Sequence, residues 1–515
     1  MAERGKSKPV VFLTGASGSM GHEAFRLLWE KRDRYDIVLL QRPSRRNKRL
    51  FKPYEKTAGI SPIRGRGTVE GDGLKIVWGD ATSRSDLREA CRGIDWCLSP
   101  MGLISPEADR NPEQAHRVNT VAVRHLVETL EEEGRDHVKL VYIGTIAEYG
   151  DRLAPIHHGR VGDPVFPSVF DRYATSKIAG ELAVMESKLR WWVSLRQTFI
   201  MIPDLFSLMD PIMFHQPIDS YMENITARDA GRALVKCLDM EGRAGFWRRC
   251  FNLAGGPECR VTFFEFLERI YALLGLDPRR VMERKWFALK NFHMQFYEDS
   301  HELNEALGHW EGGETMEDYY RQVWEHLPAA MKGVAALNKK LPPFRRLVEV
   351  ATALQLKHLA KKKDGTLHWI EKRLDDYVEA FYGGYDRYEE IPDWETDLPN
   401  LEIERPYVRL DHGYDESKES LDIDDLRGAA EFRGGALVSE HWDGDMHEPL
   451  EWRCCLGHTF TMRPYTVLKG GHWCFDCLGP PWRYEEIQKK SPFFAQLVSP
   501  RIAEAAAGEV SDASS

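Results

Sequence analysis

The run Val10–Thr14 (VVFLT) leads without a break into Gly15, Gly18 and Gly21, spaced Gly-x-x-Gly-x-x-Gly. His22–Lys31 follows, with Phe25, Leu28 and Trp29 at helical spacing. A strand, a glycine-punctuated turn and a helix in that order open a strand–helix–strand unit of a parallel sheet. Gly15 permits the tight turn, Gly18 lets the backbone approach a pyrophosphate, and Gly21 lets the helix pack close to the sheet. The helix start offers free N–H groups and a positive dipole end to phosphate. Ser17 and Met20 lie in the same turn and join the three glycines as candidate cofactor contacts.

The alternation continues. Ile37–Leu40, Leu74–Trp78, Ile94–Leu98, Lys139–Ile143 and Trp192–Arg196 read as further strands, and Val118–Glu131 as a helix. A helix carrying Tyr173 and Lys177 runs on to about Leu189. The expected fold is a doubly wound, Rossmann-like α/β sheet spanning 1–330, with a smaller substrate-capping region from about 201. In that region Phe251–Leu253 reads as a late strand and Thr262–Leu274 as a helix. Residues 331–420 hold two amphipathic helices, Leu347–Lys361 and Leu367–Tyr382, then an acidic linker or wrapping arm, Tyr385–Glu419. A compact module fills 421–515.

A formal charge of -10 provides no global basic field for nucleic acid or anionic lipid, and basic clusters such as Arg42–Arg49 are local. The start carries no signal-peptide core, and no apolar run reaches membrane-spanning length. Nine cysteines, scattered except for one cluster, do not resemble a disulfide scaffold. The expectation is a cytoplasmic protein with a small-molecule substrate and neither membrane nor nucleic-acid partner.

Tyr173 and Lys177 form Tyr-x-x-x-Lys on one helix face, and Thr145 stands just past a strand end. Oxidising a secondary alcohol requires hydride transfer and a base, and the reverse requires a proton donor at the carbonyl oxygen. Tyrosine, at a reference pKa of about 10, is a poor base unless an ammonium stabilises its phenolate. Lys177 is expected to do so and to hold ribose hydroxyls, while Thr145 orients the substrate oxygen. After the second strand the chain reads Leu39-Leu40-Gln41-Arg42, with no carboxylate for a ribose 2′-OH. Arg42, helped by Arg45 and Arg46, suits a 2′-phosphate, so NADP is expected over NAD. Asp80, after the third strand, is a candidate adenine contact.

TGASGSMG, the Gly79-Asp80 turn, Asn119 in RVNTVAVRHLV, IGTIAEYG, YATSK, Arg196 and FNLAGG together resemble the extended short-chain dehydrogenase/reductase family, over roughly Lys8 to Leu327. That family includes the nucleotide-sugar epimerases and dehydratases. The resemblance implies Thr145, Tyr173 and Lys177 as the catalytic set, Asn119 near the nicotinamide, and a homodimer through helices flanking the tyrosine helix. Three stretches depart from the family pattern. Ser99-Pro100-Met101-Gly102 stands where a His-x-Ala-Ala-like segment is usual, and Asn224–Asp229 replaces a His-Val-x-Asp pattern. Ile146 and Ala147 follow the threonine where dehydratases place Asp-Glu, and Glu148 comes one position later.

The expected function is an NAD(P)-dependent oxidoreductase interconverting a secondary alcohol and a ketone. A nucleotide-sugar epimerase with retained cofactor and a non-enzymatic cofactor-sensing scaffold are the alternatives. Met201–Met222, containing Met209, Met213, Phe214 and His215, has no Lys or Arg, which points to a weakly charged substrate or to plain core. His157 and His158 are expected at the surface before Tyr173.

Cys454, His458, Cys474 and Cys477 have the Cys-x3-His and Cys-x2-Cys spacing of a closed, structural zinc site. Cys455 is an alternative to Cys454, and His472 or His447 are weaker substitutes. Trp452-Arg453-Cys454 through Gly457-His458 resembles the W-x-C-x-x-G-H opening of treble-clef or ribbon zinc modules. With few basic residues, the module is expected to serve packing or assembly.

Overall fold

The computed structural model describes residues 8–134, 136–204, 209–396, 398 and 407–498. Its main sheet has eight strands. They are β1 (Val10–Leu13), β2 (Asp36–Gln41), β3 (Gly67–Gly71), β4 (Leu74–Trp78), β5 (Trp96–Ser99), β6 (Lys139–Thr145), β7 (Trp191–Gln197) and β8 (Arg249–Leu253). The order is β8-β7-β6-β5-β1-β2-β4-β3, parallel throughout except that β3 runs against β4. Burial on both faces explains the near-continuous apolar strands. Val11 and Leu13 of β1 enter one core with Phe25 and Leu28, while Phe12 enters the opposite core with Leu126 and Leu130.

The helices that shape the site are α1 (Ser19–Glu30), α2 (Arg45–Thr57), α3 (Ala122–Gly134) and α4 (Arg172–Met185). Strand order reverses between β1 and β5, which opens a crevice at their carboxyl ends, where sheets of this kind take ligands. The glycine turn and the loop after β5 line it.

Several elements differ from expectation. β3 was not foreseen: two of its five residues are glycine, and it pairs only at the sheet edge. The tyrosine helix stops at Met185, because the chain needs the next residues to turn into β7 at Trp191. The expected helix Leu367–Tyr382 is two helices, Thr366–Glu371 and Asp375–Tyr382, separated where Arg373 takes φ 53°. His157 and His158 are buried, with the Tyr407 ring packed edge-on against both. Tyr407 belongs to the expected arm, and farther along it His412 and Glu416 engage Arg160. Of that arm, 397 and 399–406 lie outside the described residues, as do 205–208 of the expected substrate wall and 499–515 of the last segment.

The C-terminal segment forms a helix, Ile423–Phe432, and a three-stranded antiparallel sheet of Ala436–Leu437, Leu450–Arg453 and Thr459–Met462. Its core is not self-contained. Trp452, Leu468 and Phe493 share one cluster with Val165, Phe166 and Ile178 from the α/β part, and Phe166 lies 3.9 Å from the Tyr484 ring, centroid to centroid. Arg463 donates to the Met185 carbonyl and Thr466 bonds Glu186, so the end of α4 is covered by the chain itself.

Candidate functional site

The glycine turn has little slack. Gly15 takes φ +61°, and a Cβ there would stand 3.1 Å from the Met101 backbone. A Cβ on Gly21 would stand 2.2 Å from the Gly15 carbonyl oxygen, so Gly21 lets α1 close onto the turn rather than onto the sheet. Gly18 differs. It is exposed, its Cβ position meets only the Gly15 oxygen at 3.4 Å, and it precedes α1 as N-cap. No side chain caps α1 and no acid lies in its first turn, which leaves its first N–H groups for an anionic ligand. Ser17 is half-buried on the turn, whereas the Met20 side chain lies in the core. This cradle fits a dinucleotide phosphate.

At the end of β2, Gln41 is buried and Arg42, Arg45 and Arg46 are exposed. Asp80 accepts from the Thr82 N–H at 2.9 Å and from its hydroxyl at 2.8 Å. Against the cost of partial burial, these bonds and the charges of Arg42 and Arg66 hold its carboxyl below the usual range. Arg42 and Asp80 therefore face one patch.

Asn119 sits in a π-helical turn, His116–Val121, that leads into α3. Its Oδ1 accepts from Leu103 N–H at 2.7 Å, and its Nδ2 donates to the Leu103 carbonyl at 2.8 Å and to Ser176 Oγ at 2.9 Å. Leu103 closes the loop after β5, and Ser176 stands between Tyr173 and Lys177. Asn119 thus ties the crevice to the tyrosine helix. The unusual Ser99–Gly102 segment keeps that role through its backbone, by packing against Gly15.

Tyr173 and Lys177 both converge on the end of β6. The Thr145 side chain acts on the Tyr173 phenol, favouring loss of its proton. Lys177 Nζ donates to the Ile143 carbonyl at 2.6 Å and sits 4.4 Å from the Tyr142 ring centre. The electrostatics differ from the sequence expectation. Burial pushes the Tyr173 phenol well up, Thr145 is the next largest influence and opposes this, and Glu148, Asp171 and Asp109 add to the rise. The ammonium is spent elsewhere. Burial lowers Lys177 to about 8, against the pull of Glu148 and Glu181. Tyr173 accordingly keeps its proton at neutral pH.

Beneath this pair lies a fully buried cluster. Glu148 Oε1 accepts from the Thr145 N–H at 2.9 Å, which fixes the strand end. Glu181, one turn beyond Lys177, accepts from Ser194 Oγ at 2.6 Å and Arg196 Nη2 at 2.8 Å, and bonds His472 Nε2 at 2.7 Å. Burial and the Glu181 charge push the Glu148 carboxyl well above the usual carboxylate range, against the opposing charges of Arg196, 3.3 Å away, and Lys177. Arg196 and His472 keep Glu181 ionised despite its burial. Of these partners the sequence singles out Arg196; Glu148 stands one position out of register, and the spacing of His472 makes it only a substitute metal ligand.

A second cluster flanks Tyr173. Its N–H donates to Asp109 at 3.1 Å, Asp171 caps α4 through the Ala174 N–H at 2.7 Å, and His293 Nδ1 lies 2.6 Å from Asp171. Burial and the Asp171 charge raise Asp109 to about 6. No local sequence signal marks this trio, since His293 comes from a loop 122 residues beyond Asp171. The expected apolar wall is largely core: Phe214 is buried among Trp286 and Phe287 and His215 bonds the Asp364 carbonyl, while Met209 is exposed.

Cys454, His458, Cys474 and Cys477 bring four ligand atoms within 4.8 Å of one another. His458 Nδ1 lies 3.5 Å from each sulfur, and Cys454 Sγ lies 3.7 Å from Cys477 Sγ. Tetrahedral bonds of about 2.0–2.3 Å to a shared centre separate such donors by about 3.5–3.8 Å, so the set fits zinc. Cys455 and His447 stand outside it, and the His447 ring stacks on Tyr465.

No family model matches the chain, and no curated protein matches it. Among solved structures, a dTDP-glucose 4,6-dehydratase of Bacillus anthracis in complex with NAD is similar at 16% identity and TM-score 0.47, covering 64% of this chain and 100% of that one. DesIV, a dTDP-glucose 4,6-dehydratase of Streptomyces venezuelae, is similar at 18% and 0.47, covering 62% and 97%. A UDP-glucuronic acid 4-epimerase of Bacillus cereus is similar at 15% and 0.46, covering 62% and 100%.

A lysine lowered to about 8 loses its charge as pH rises through that value. Cofactor affinity that uses the Lys177 charge is therefore expected to be full below about pH 7 and to fall by about tenfold towards pH 9. Titration calorimetry across this range checks it, with Lys177→Met flattening the profile.

Proposed function

We propose that the chain is an NAD(P)-dependent oxidoreductase of the extended short-chain dehydrogenase/reductase kind, acting between a secondary alcohol and a ketone. The observation that carries the reading is the meeting of Thr145 and Tyr173 at the end of β6, with Asn119 linking their helix to the glycine crevice. A bound nicotinamide supplies the hydride acceptor or donor. Thr145 orients the substrate oxygen, and Tyr173 moves the proton at that atom. Burial and its carboxylate neighbours keep Tyr173 protonated, the state in which it donates to a carbonyl oxygen. Lys177, anchored on Ile143, holds ribose hydroxyls. Arg42 on the 2′-phosphate side favours NADP over NAD.

The dehydratase chemistry that Asp-Glu after the threonine would support is disfavoured: Ile146 and Ala147 stand there, and Glu148 is buried and committed to the Thr145 N–H. In the C-terminal module, Cys454, His458, Cys474 and Cys477 hold a structural zinc ion. Four protein ligands leave no open position for catalysis.

Tyr173→Phe is expected to lower kcat by about 10²–10⁴-fold with cofactor affinity nearly intact. Substrates for the assay come from a panel spanning lipophilic ketones and sugar nucleotides, and undiminished turnover refutes the assignment. Arg42→Ala is expected to weaken NADP by about tenfold and leave NAD within about twofold, as read by fluorescence titration. Metal analysis of freshly purified, unchelated protein is expected to find about one zinc per chain, lost in Cys474→Ser.

A further inference from the structure

Two consecutive helices, α5 (Ala329–Lys340) and α6 (Pro342–Ala360), carry a face that the rest of the described chain does not cover. Val334, Leu337 and Leu341 recur at spacings of three and four, and so do Leu347, Val350 and Leu354. All six are exposed, up to 67% at Leu347 and 66% at Leu354. They make up half of the twelve large apolar side chains that stand exposed among the described residues. The two rows meet at the junction, where Leu341, Pro342 and Pro343 are all exposed. The opposite face of α6 is satisfied: Leu356, Leu359 and Ala360 enter the core with Phe214 and Trp286. This apolar row is therefore a second face, separate from the one that folding uses.

The charge of the hairpin itself is one-sided, although Glu283 and Glu371 from neighbouring elements pair with Lys357 and Lys361. Residues 329–363 contain nine Lys or Arg and a single carboxylate, Glu349, in a chain whose net charge is -10. Glu349 is buried and shared by Arg280, Arg345 and Arg346. Lys340, Lys362 and Lys363 are exposed and have no ion pair among the described residues. On a helical projection of α6, Leu347, Val350 and Leu354 centre the outer face, with Arg346 and Lys357, which pairs with Glu283, along one flank; Lys362 and Lys363 follow just past the helix end.

We propose that this hairpin docks the protein on an anionic lipid surface, with α6 lying in the plane of the interface, its leucines among the acyl chains and its cations at the headgroups. An apolar row flanked by Lys and Arg is the pattern that suits this arrangement. Neither helix is long and apolar enough to cross a membrane. A second copy of the chain would bring like charge against like charge. Nucleic acid would satisfy the cations but present nothing to the leucines. The inference rests on this surface alone and is independent of the reaction proposed above.

The test is co-sedimentation of the full chain with vesicles of phosphatidylcholine alone and of phosphatidylcholine with about one-third phosphatidylserine. The protein is expected to pellet with the anionic vesicles and not with the neutral ones, and to be released by salt. Leu347→Glu with Leu354→Glu, and separately Lys362→Glu with Lys363→Glu, are each expected to cut binding by about tenfold or more. All four positions are exposed, so an unchanged thermal unfolding curve confirms the fold. Failure to pellet with anionic vesicles overturns the proposal, as does binding that both double variants retain. A lipid-free dimer that Leu347→Glu with Leu354→Glu dissolves, seen by sedimentation velocity, overturns it in favour of a second copy.

Discussion

The Glu181–Arg196 ion pair holds the molecule together at its least forgiving point. Both side chains are fully buried, and Nη2 lies 2.8 Å from Oε2. Charges in such a place are tolerated only when paired and hydrogen-bonded, and removing one partner of a buried pair typically costs about 3–5 kcal/mol. Glu181 meets that demand with Ser194, Arg196 and His472. Arg196 in turn donates to the Gly470 carbonyl and lies over the Tyr149 ring. Two of these partners belong to the C-terminal segment. The helix that carries Tyr173 and Lys177 is thus anchored through groups nearly three hundred residues away in sequence.

The C-terminal module is consequently part of the α/β core in an energetic sense. It covers Val165, Phe166 and Ile178 and seals the ion pair from water. Its own strands are short, and a small unit of this kind gains order from a metal staple. The Cys3His set stands at one end of that module and His472 two residues before its third ligand, Cys474. The proposed metal set and the buried charge therefore lie on the same stretch of chain.

The active-site proposal follows from local geometry layered on this anchor. Glu148 caps the turn after β6 and holds Thr145, and Lys177 is drawn down to Ile143, Glu148 and Glu181. That placement explains why the phenol is not made acidic by the lysine: the ammonium is committed beneath the phenol, while Asp109, Asp171 and Glu148 raise its affinity for a proton.

The sheet, its strand sequence, the glycine turn and the Tyr-x-x-x-Lys helix were legible in the chain, because each depends on residues within one or two turns of each other. A parallel strand buried on both faces reads as a short apolar run, and a tight turn reads as glycine. The four metal-ligand candidates were legible for the same reason, as two short knuckles. Edge strand β3, the break at Arg373 and the burial of His157 and His158 were not, since pairing partners and covering segments decide them. Spacing alone marked the residues proposed for acid–base and metal-binding chemistry. Only the tertiary structure decided that His472 sides with Glu181 and Glu148 rather than with the Cys3His set, that His293 and Asp109 flank the tyrosine, and which face of α6 is left bare. Burial and charge neighbours come from distant parts of the chain, and no local pattern encodes them.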